Sequence, residues 1–320
     1  MKAFEYVNAL TPTSAAGLLG ENGRYLAGGI DLLGEMKEYI ATPSRVVNVK
    51  NLPESKTLTV SDGVLRLGAN VTVAGIAAET EILTGWPALA EAARDVGSPQ
   101  IRAVATLGGN LAQHSRCWYY RQRDLTCLKR GGNTCYARDG QNKYNAIFSG
   151  NPCISPVVSN LAVALSALDA RVVVQRKEGE ASLTVSELYQ DAWSNPLAQN
   201  SLAPGDLILA VSVPSDGRKS AYLQMSEKSD FDWALVSCAV SGKIEDGKIS
   251  GARIVLGSVA PVPLVAADAA AFLEGKPLDE SSVTQAAEIA LAKATPFAHN
   301  GYKVPIARAL IRRALLKLLV

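Results

Sequence analysis

The chain has 320 residues, 48% of them apolar, with a net charge of +2 and five cysteines. That length calls for two or three packed units rather than one small core, and the near-neutral charge lacks the basic field a nucleic-acid partner would need. No apolar run approaches the roughly 20 residues of a membrane span, and the opening MKAFEYVNALTP has neither an apolar core nor paired arginines, so the expectation is a soluble cytosolic chain without an export signal of its own.

In chain order, Arg24–Ala27 reads as a short strand, broken by Gly28-Gly29, with Asp31 placed to cap a helix carrying Leu32, Leu33, Met36 and Ile40 on one face. Arg45–Val49 is the next strand. Leu58–Val60 and Leu65–Gly68 flank Ser61-Asp62-Gly63 and predict a hairpin. Helical patterns follow near Val73–Thr80 and Trp86–Asp95, and Thr106–Leu111 is a second glycine-pair break, expected to form a tight backbone turn. Ser159 is placed to cap an apolar helix, Asn160–Leu168, which feeds a strand at Arg171–Gln175. After strand-like Leu207–Val213, the segments Tyr222–Glu227, Ala234–Ile244 and Ile249–Leu256 predict a small antiparallel sheet. Helices close the chain near Ala266–Leu273, Val283–Ala294 and Ile306–Leu319. The basic face of the last helix (Arg308, Arg312, Arg313, Lys317) reads as a solvated one.

Each glycine pair lets backbone N–H groups approach an anion with no Cβ in the way. Taken singly, Ala27-Gly28-Gly29-Ile30-Asp31 and Thr106-Leu107-Gly108-Gly109-Asn110 are ordinary turns; two in one α/β unit favour a dinucleotide. The fingerprints of Rossmann and P-loop nucleotide sites are absent.

Between them and the helix at 160 lies a polar loop holding four of the five cysteines, spaced C-x9-C-x7-C-x17-C: Cys117, Cys127, Cys135 and Cys153. The spacing is neither a zinc ribbon nor the compact ferredoxin run. It leaves a [4Fe–4S] cluster and Zn²⁺ both open, with free thiols and disulfides as alternatives, although a reducing cytosol disfavours disulfides. So long an excursion is uncommon unless something orders it. Arg116, Arg121, Arg123, Lys129, Arg130 and Arg138 would offset an anionic cluster, or simply form a solvated basic loop. Cys238 stands apart in an apolar strand and reads as a small core residue. Two histidines, His114 and His299, give no hydrolase arrangement.

Together, Ala27–Leu32, Ala105–Leu111, Ser159–Leu165 with Leu168-Asp169-Ala170, Asp232–Ser237, Arg253–Pro261 and Tyr302-Lys303 resemble the FAD-binding medium subunit of molybdenum hydroxylases, the xanthine dehydrogenase and carbon monoxide dehydrogenase flavoprotein type. The resemblance implies an α+β chain with a vanillyl-alcohol-oxidase-type FAD fold. Its expected parts are subdomains at 1–55 and 56–216, the latter carrying an iron–sulfur loop at 114–155, and a C-terminal α+β domain with a small antiparallel sheet at 217–320. It implies FAD contacts from Ala27, Gly28, Gly29, Ile30, Asp31, Leu32, Thr106, Gly108, Gly109, Asn110, Asn160 and Lys228, and no catalytic acid or base. Ile30 stands where the family usually has a hydroxyl residue, and Asn160 where it has aspartate.

The cysteine loop narrows the likeness to the branch similar to periplasmic aldehyde oxidoreductase and 4-hydroxybenzoyl-CoA reductase, in which four such cysteines hold a [4Fe–4S] cluster. The implied function is an electron-transfer subunit. Its partners would be a large molybdopterin subunit, a small [2Fe–2S] subunit and an external acceptor. Rival readings are a reductive 4-hydroxybenzoyl-CoA-type complex, a stand-alone FAD oxidoreductase and a zinc-ordered binding module. Periplasmic location by co-export with a partner is the alternative to the cytosol.

Overall fold

The computed structural model describes residues 1–148, 150–229 and 231–320; Ser149 in the cysteine loop and Asp230 lie outside the described residues. Among the described residues the strands form three sheets.

The first is parallel. Strand β1 (Glu5–Asn8) leads into helix α1 (Pro12–Leu19), then β2 (Gly23–Leu26), α2 (Leu32–Lys37) and β3 (Arg45–Asn48), in the sheet order β1-β3-β2. Thr11 and Ser14 form a reciprocal capping box at the start of α1, and Pro12 presets its first turn. Val47, paired with both Val7 and Tyr25, packs with Ala15, Leu19 and Leu52 in a small core. Asp31 sits at the N-cap of α2 but caps nothing, because its carboxylate is used elsewhere.

The second sheet begins with β4 (Leu58–Ser61) and β5 (Val64–Gly68), a hairpin turning on Asp62 and Gly63 with φ of 50° and 71°. Helices α3 (Val73–Ala78), α4 (Thr80–Gly85), α5 (Pro87–Arg94), α6 (Pro99–Val104) and α7 (Leu107–Leu111) follow. The expected turn at Thr106–Asn110 is therefore a short helix: Thr106 accepts from the Gly109 N–H and caps it, which overrides the low helix propensity of two glycines.

Beyond the cysteine loop come α8 (Asn160–Ala167), β6 (Arg171–Arg176), β7 (Gly179–Thr184), α9 (Val185–Ser194) and β8 (Leu207–Pro214), giving the antiparallel order β4-β5-β8-β6-β7. Helix α8 is capped by Ser159 and all eight of its residues are buried, which makes it the axis of the largest core.

The third sheet is antiparallel: β9 (Lys219–Met225), β10 (Val236–Glu245), β11 (Lys248–Gly257) and β12 (Leu264–Val265), in the order β12-β11-β10-β9. It is covered by α10 (Ala267–Leu273), α11 (Glu280–Leu291) and α12 (Lys303–Lys317). The basic face of α12 is not merely solvated. Arg308 pairs with Glu288, Arg312 with Glu280, and Lys317 with Glu91 on α5. Cys238 is fully buried in β10, where burial pushes its thiol well up. Cys238→Ala is expected to cost about 1 kcal/mol by denaturant titration while leaving metal content unchanged; loss of bound metal would overturn its reading as a core residue.

From Ala112 to Val158 the only regular element among the described residues is a 3-10 turn at Leu128–Arg130. The loop is ordered by stitching to the C-terminal domain. Ile147 and Phe148 donate to the Val259 carbonyl, Val157 donates to Ala260, and Asn300 donates to the Asn145 and Ala146 carbonyls. Lys303 is fully buried. Its Nζ donates to the Tyr144 carbonyl at 3.0 Å and the Ser258 carbonyl at 2.9 Å, and burial pulls its ammonium down to about 7.

Candidate functional site

A cavity of about 450 Å³ opens between the first two sheets. Both glycine motifs reach it. Ala27, Gly28, Gly29, Ile30, Asp31 and Leu32 line one part, and Thr106, Gly108, Gly109 and Asn110 another. Further wall comes from Tyr25 and Leu26 of β2, Leu207–Ala210 of β8, and Trp233 of the C-terminal domain, and the carboxylates of Glu54, Glu180 and Asp206 also border it. Asn160 and Lys228 are not brought to it. The buried Asn160 amide donates instead to Gln224 Oε1 at 3.0 Å, and Lys228 is an exposed residue whose carbonyl accepts from Ser226.

The two motifs are packed backbone to backbone: a Cβ on Gly28 would lie 2.2 Å from the Val104 carbonyl oxygen. Gly29 has a φ of 78°, a left-handed conformation that glycine adopts without strain. Among the described residues the backbone N–H groups of Gly29, Ile30 and Asp31 have no protein acceptor. Unpaired donors on a cavity wall want an anion or water. Asn110 accepts from Ser159 Oγ at 2.6 Å, and its own amide nitrogen has no protein partner there. The cradle can thus hold an anionic ligand and a hydrogen-bonding group side by side.

The second feature is a half-buried charged network that ties this cradle to the cysteine loop. The Asp31 carboxylate takes Arg121 at 2.7 Å, Arg116 at 2.8 Å and the backbone N–H of His114 at 2.7 Å. One turn further along α2, buried Glu35 meets His114 Nδ1 at 3.1 Å and accepts from the Tyr120 hydroxyl at 3.0 Å, with Arg121 at 3.5 Å. Burial raises the Glu35 carboxyl, but the hydrogen bond and charge of His114, with Arg121 and Tyr120, outweigh it and leave the group below its ordinary value. Arg116 also stacks over the Trp233 ring at 4.6 Å. Sequence reasoning found Asp31 but missed Glu35, His114, Tyr120 and Trp233 as parts of the site. The four-residue interval from Asp31 to Glu35 was the available signal, since it puts both carboxylates on one helix face.

Cys117, Cys127, Cys135 and Cys153 are unpaired thiols that line one small recess, together with Tyr119, Lys129 and Ala137. Burial raises the Cys117 thiol, and Asn145 donates to its sulfur at 3.5 Å. Cys135 is pulled down to about 6, chiefly because the Cys153 thiol donates to it, and Cys153 is raised correspondingly. Four soft donors around one recess could hold a zinc ion or a thiolate-bound iron–sulfur cluster.

Residues 2–216 match the family model described as the FAD binding domain in molybdopterin dehydrogenase, and residues 220–318 the CO dehydrogenase flavoprotein C-terminal domain. The chain is 34% identical over 318 residues to the aldehyde oxidoreductase FAD-binding subunit PaoB of Escherichia coli (strain K12), covering 96% of each. It is 26% identical to the carbon monoxide dehydrogenase medium chain of Hydrogenophaga pseudoflava, covering 98% of this chain and 96% of that one. A solved structure of the Hydrogenophaga pseudoflava carbon monoxide dehydrogenase that lacks the Mo-pyranopterin moiety of its cofactor superposes with a TM-score of 0.78 at 25% identity, covering 99% of this chain and 98% of that one.

Proposed function

Because the chain belongs to the FAD-binding medium subunits of the molybdenum hydroxylase family, we propose that it passes electrons from redox centres on partner subunits, through FAD, to an external acceptor. The observation that carries this reading is the convergence of both glycine motifs on one cavity, with unpaired backbone donors on its wall. Bound FAD would exchange electrons singly with iron–sulfur centres and in pairs with an acceptor.

The chain's own residues bind and orient. The N–H groups of Gly29, Ile30 and Asp31 would take the pyrophosphate, and the Asn110 amide a ribityl or ring oxygen of the flavin. Arg116 and Arg121 pair with Asp31 and offset its charge beside the phosphates. No side chain here is asked to act as an acid or base.

The four cysteines would hold a [4Fe–4S] cluster. The gathering of all four thiols on one recess supports that, and the Asp31–Glu35 network gives the cluster loop a rigid connection to the cradle. The partners would be a large molybdopterin subunit, where substrate is oxidised, and a small [2Fe–2S] subunit. The likeness to the aldehyde oxidoreductase subunit favours an aldehyde as substrate of the complex. Among the described residues no helix is long and apolar enough to cross a membrane. Assembly would take place in the cytosol, where the thiols stay reduced.

The test is the iron and flavin content of the native complex purified anaerobically, with this subunit then resolved from its partners. About four irons and one flavin per chain are expected. One flavin without iron would overturn the cluster assignment, and a folded chain with neither would overturn the whole reading.

A further inference from the structure

Seven cations lie along the cysteine loop, and the tertiary structure gives six of them other work; Lys143 pairs with Glu227. Arg116 and Arg121 are held by Asp31. Arg123 lies over the Tyr39 ring at 4.6 Å, and Arg130 donates to the carbonyls of Gln122, Arg123 and Leu125. Arg138 donates to the carbonyls of Asn151 and Pro152 and lies 5.4 Å from the Phe297 ring. Only Lys129 lines the recess that the four cysteines share.

Lys129 is fixed there from outside the loop. Its Nζ donates to the Ala198 carbonyl at 2.7 Å and the Pro196 carbonyl at 3.3 Å, in the segment that follows α9. Carbonyl oxygens carry no net charge, and among the described residues no carboxylate pairs with the Lys129 ammonium. A group bound by four thiolates is itself anionic and would favour that charge.

Resting on the cluster assignment above, we infer that Lys129 is a positioning cation that stabilises the electron-rich state of the group held by Cys117, Cys127, Cys135 and Cys153, and so raises its reduction potential. One-electron reduction makes that group more negative, and a nearby positive charge in a water-poor recess stabilises the reduced form more than the oxidised one.

The test is an EPR-monitored redox titration of the anaerobically purified holoenzyme, with iron and flavin measured on each sample. Lys129→Met, iron-replete, is expected to shift the cluster midpoint to a more negative potential, while Lys129→Arg keeps it close to that of the unaltered protein. Lys129→Gln, which keeps a donor for the Ala198 carbonyl, carries the same expectation if Lys129→Met proves unstable. An unmoved midpoint in an iron-replete neutral variant would overturn the inference with the cluster assignment intact. Iron-free unaltered protein would overturn the cluster assignment itself, so the two failures are read from different samples.

Discussion

Gly28→Ala is expected to leave the purified chain almost free of flavin. A Cβ at that position would lie 2.2 Å from the Val104 carbonyl oxygen, 3.0 Å from its carbon and 3.2 Å from the Ala105 Cα. All three are backbone atoms at the end of α6, one step before Thr106, so no side chain can swing aside. Either the first motif moves away from the second or both shift, and the cavity wall they share opens. Overpacking of this kind costs about 1–3 kcal/mol, and every 1.4 kcal/mol is about tenfold in Kd. If that strain falls on the bound state, binding weakens by about 5- to 150-fold. Misalignment of the donors on Gly29, Ile30 and Asp31 adds to it. Gly17→Ala is the control: nothing lies within 4 Å of its would-be Cβ, and it sits in α1 away from the cavity. Flavin released from each denatured variant gives the answer, and a Gly28→Ala chain with full flavin would show that the packed glycine is not what shapes the cradle.

The second large effect is expected from Arg121→Met. Arg121 reaches Asp31, Glu35 and, through Nε, the Ser115 carbonyl at 2.6 Å. The Glu35 side chain is only 3% exposed, so losing the guanidinium weakens the pairing of a carboxylate that water cannot reach. Breaking a buried pair costs about 3–5 kcal/mol, and the partial exposure of Arg121 puts the expectation near the lower end. At about 2–4 °C per kcal/mol, the unfolding midpoint of the first transition should fall by roughly 5–10 °C.

The sign of the pH dependence follows from Glu35. Its folded-state carboxyl lies below the ordinary value of 4.5, so its contribution is present above that pH and is lost as the pH falls through the lower folded-state value. The stability gap between the variant and the unaltered chain should accordingly be widest near neutrality and narrow in acid. A gap that is absent at neutral pH, or that widens in acid, would show that the network does not anchor the loop.

The elements with strong local signals were legible. The hairpin at Asp62-Gly63 and the Ser159 cap of α8 follow from turn and capping chemistry within a few residues. So do the alternating strands β9–β11. The first glycine motif was legible for the same reason. The second was read as a turn and is a helix, because a threonine cap and the packing of Gly108 against Ala69 outweigh the cost of two glycines. Strand β1 and helix α1 went unread: β1 alternates poorly, and its pairing with β3 is made across forty residues of chain. The basic face of α12 looked solvated because its acidic partners lie on α11 and α5.

By itself, the sequence determined the α+β character, the two glycine motifs, the family and the cysteines that could serve as ligands, since each of these is written in local spacing and residue type. Only the tertiary structure decided that both motifs share one cavity and that Asn160 and Lys228 stand away from it. It also decided that Asp31 and Glu35 tie the cysteine loop to the cradle of the glycine motifs, and that Lys129 alone of the loop's seven cations lines the recess of the four cysteines. Charges and amides act at a few ångströms, and which of them meet depends on contacts between residues about 65 to 90 positions apart.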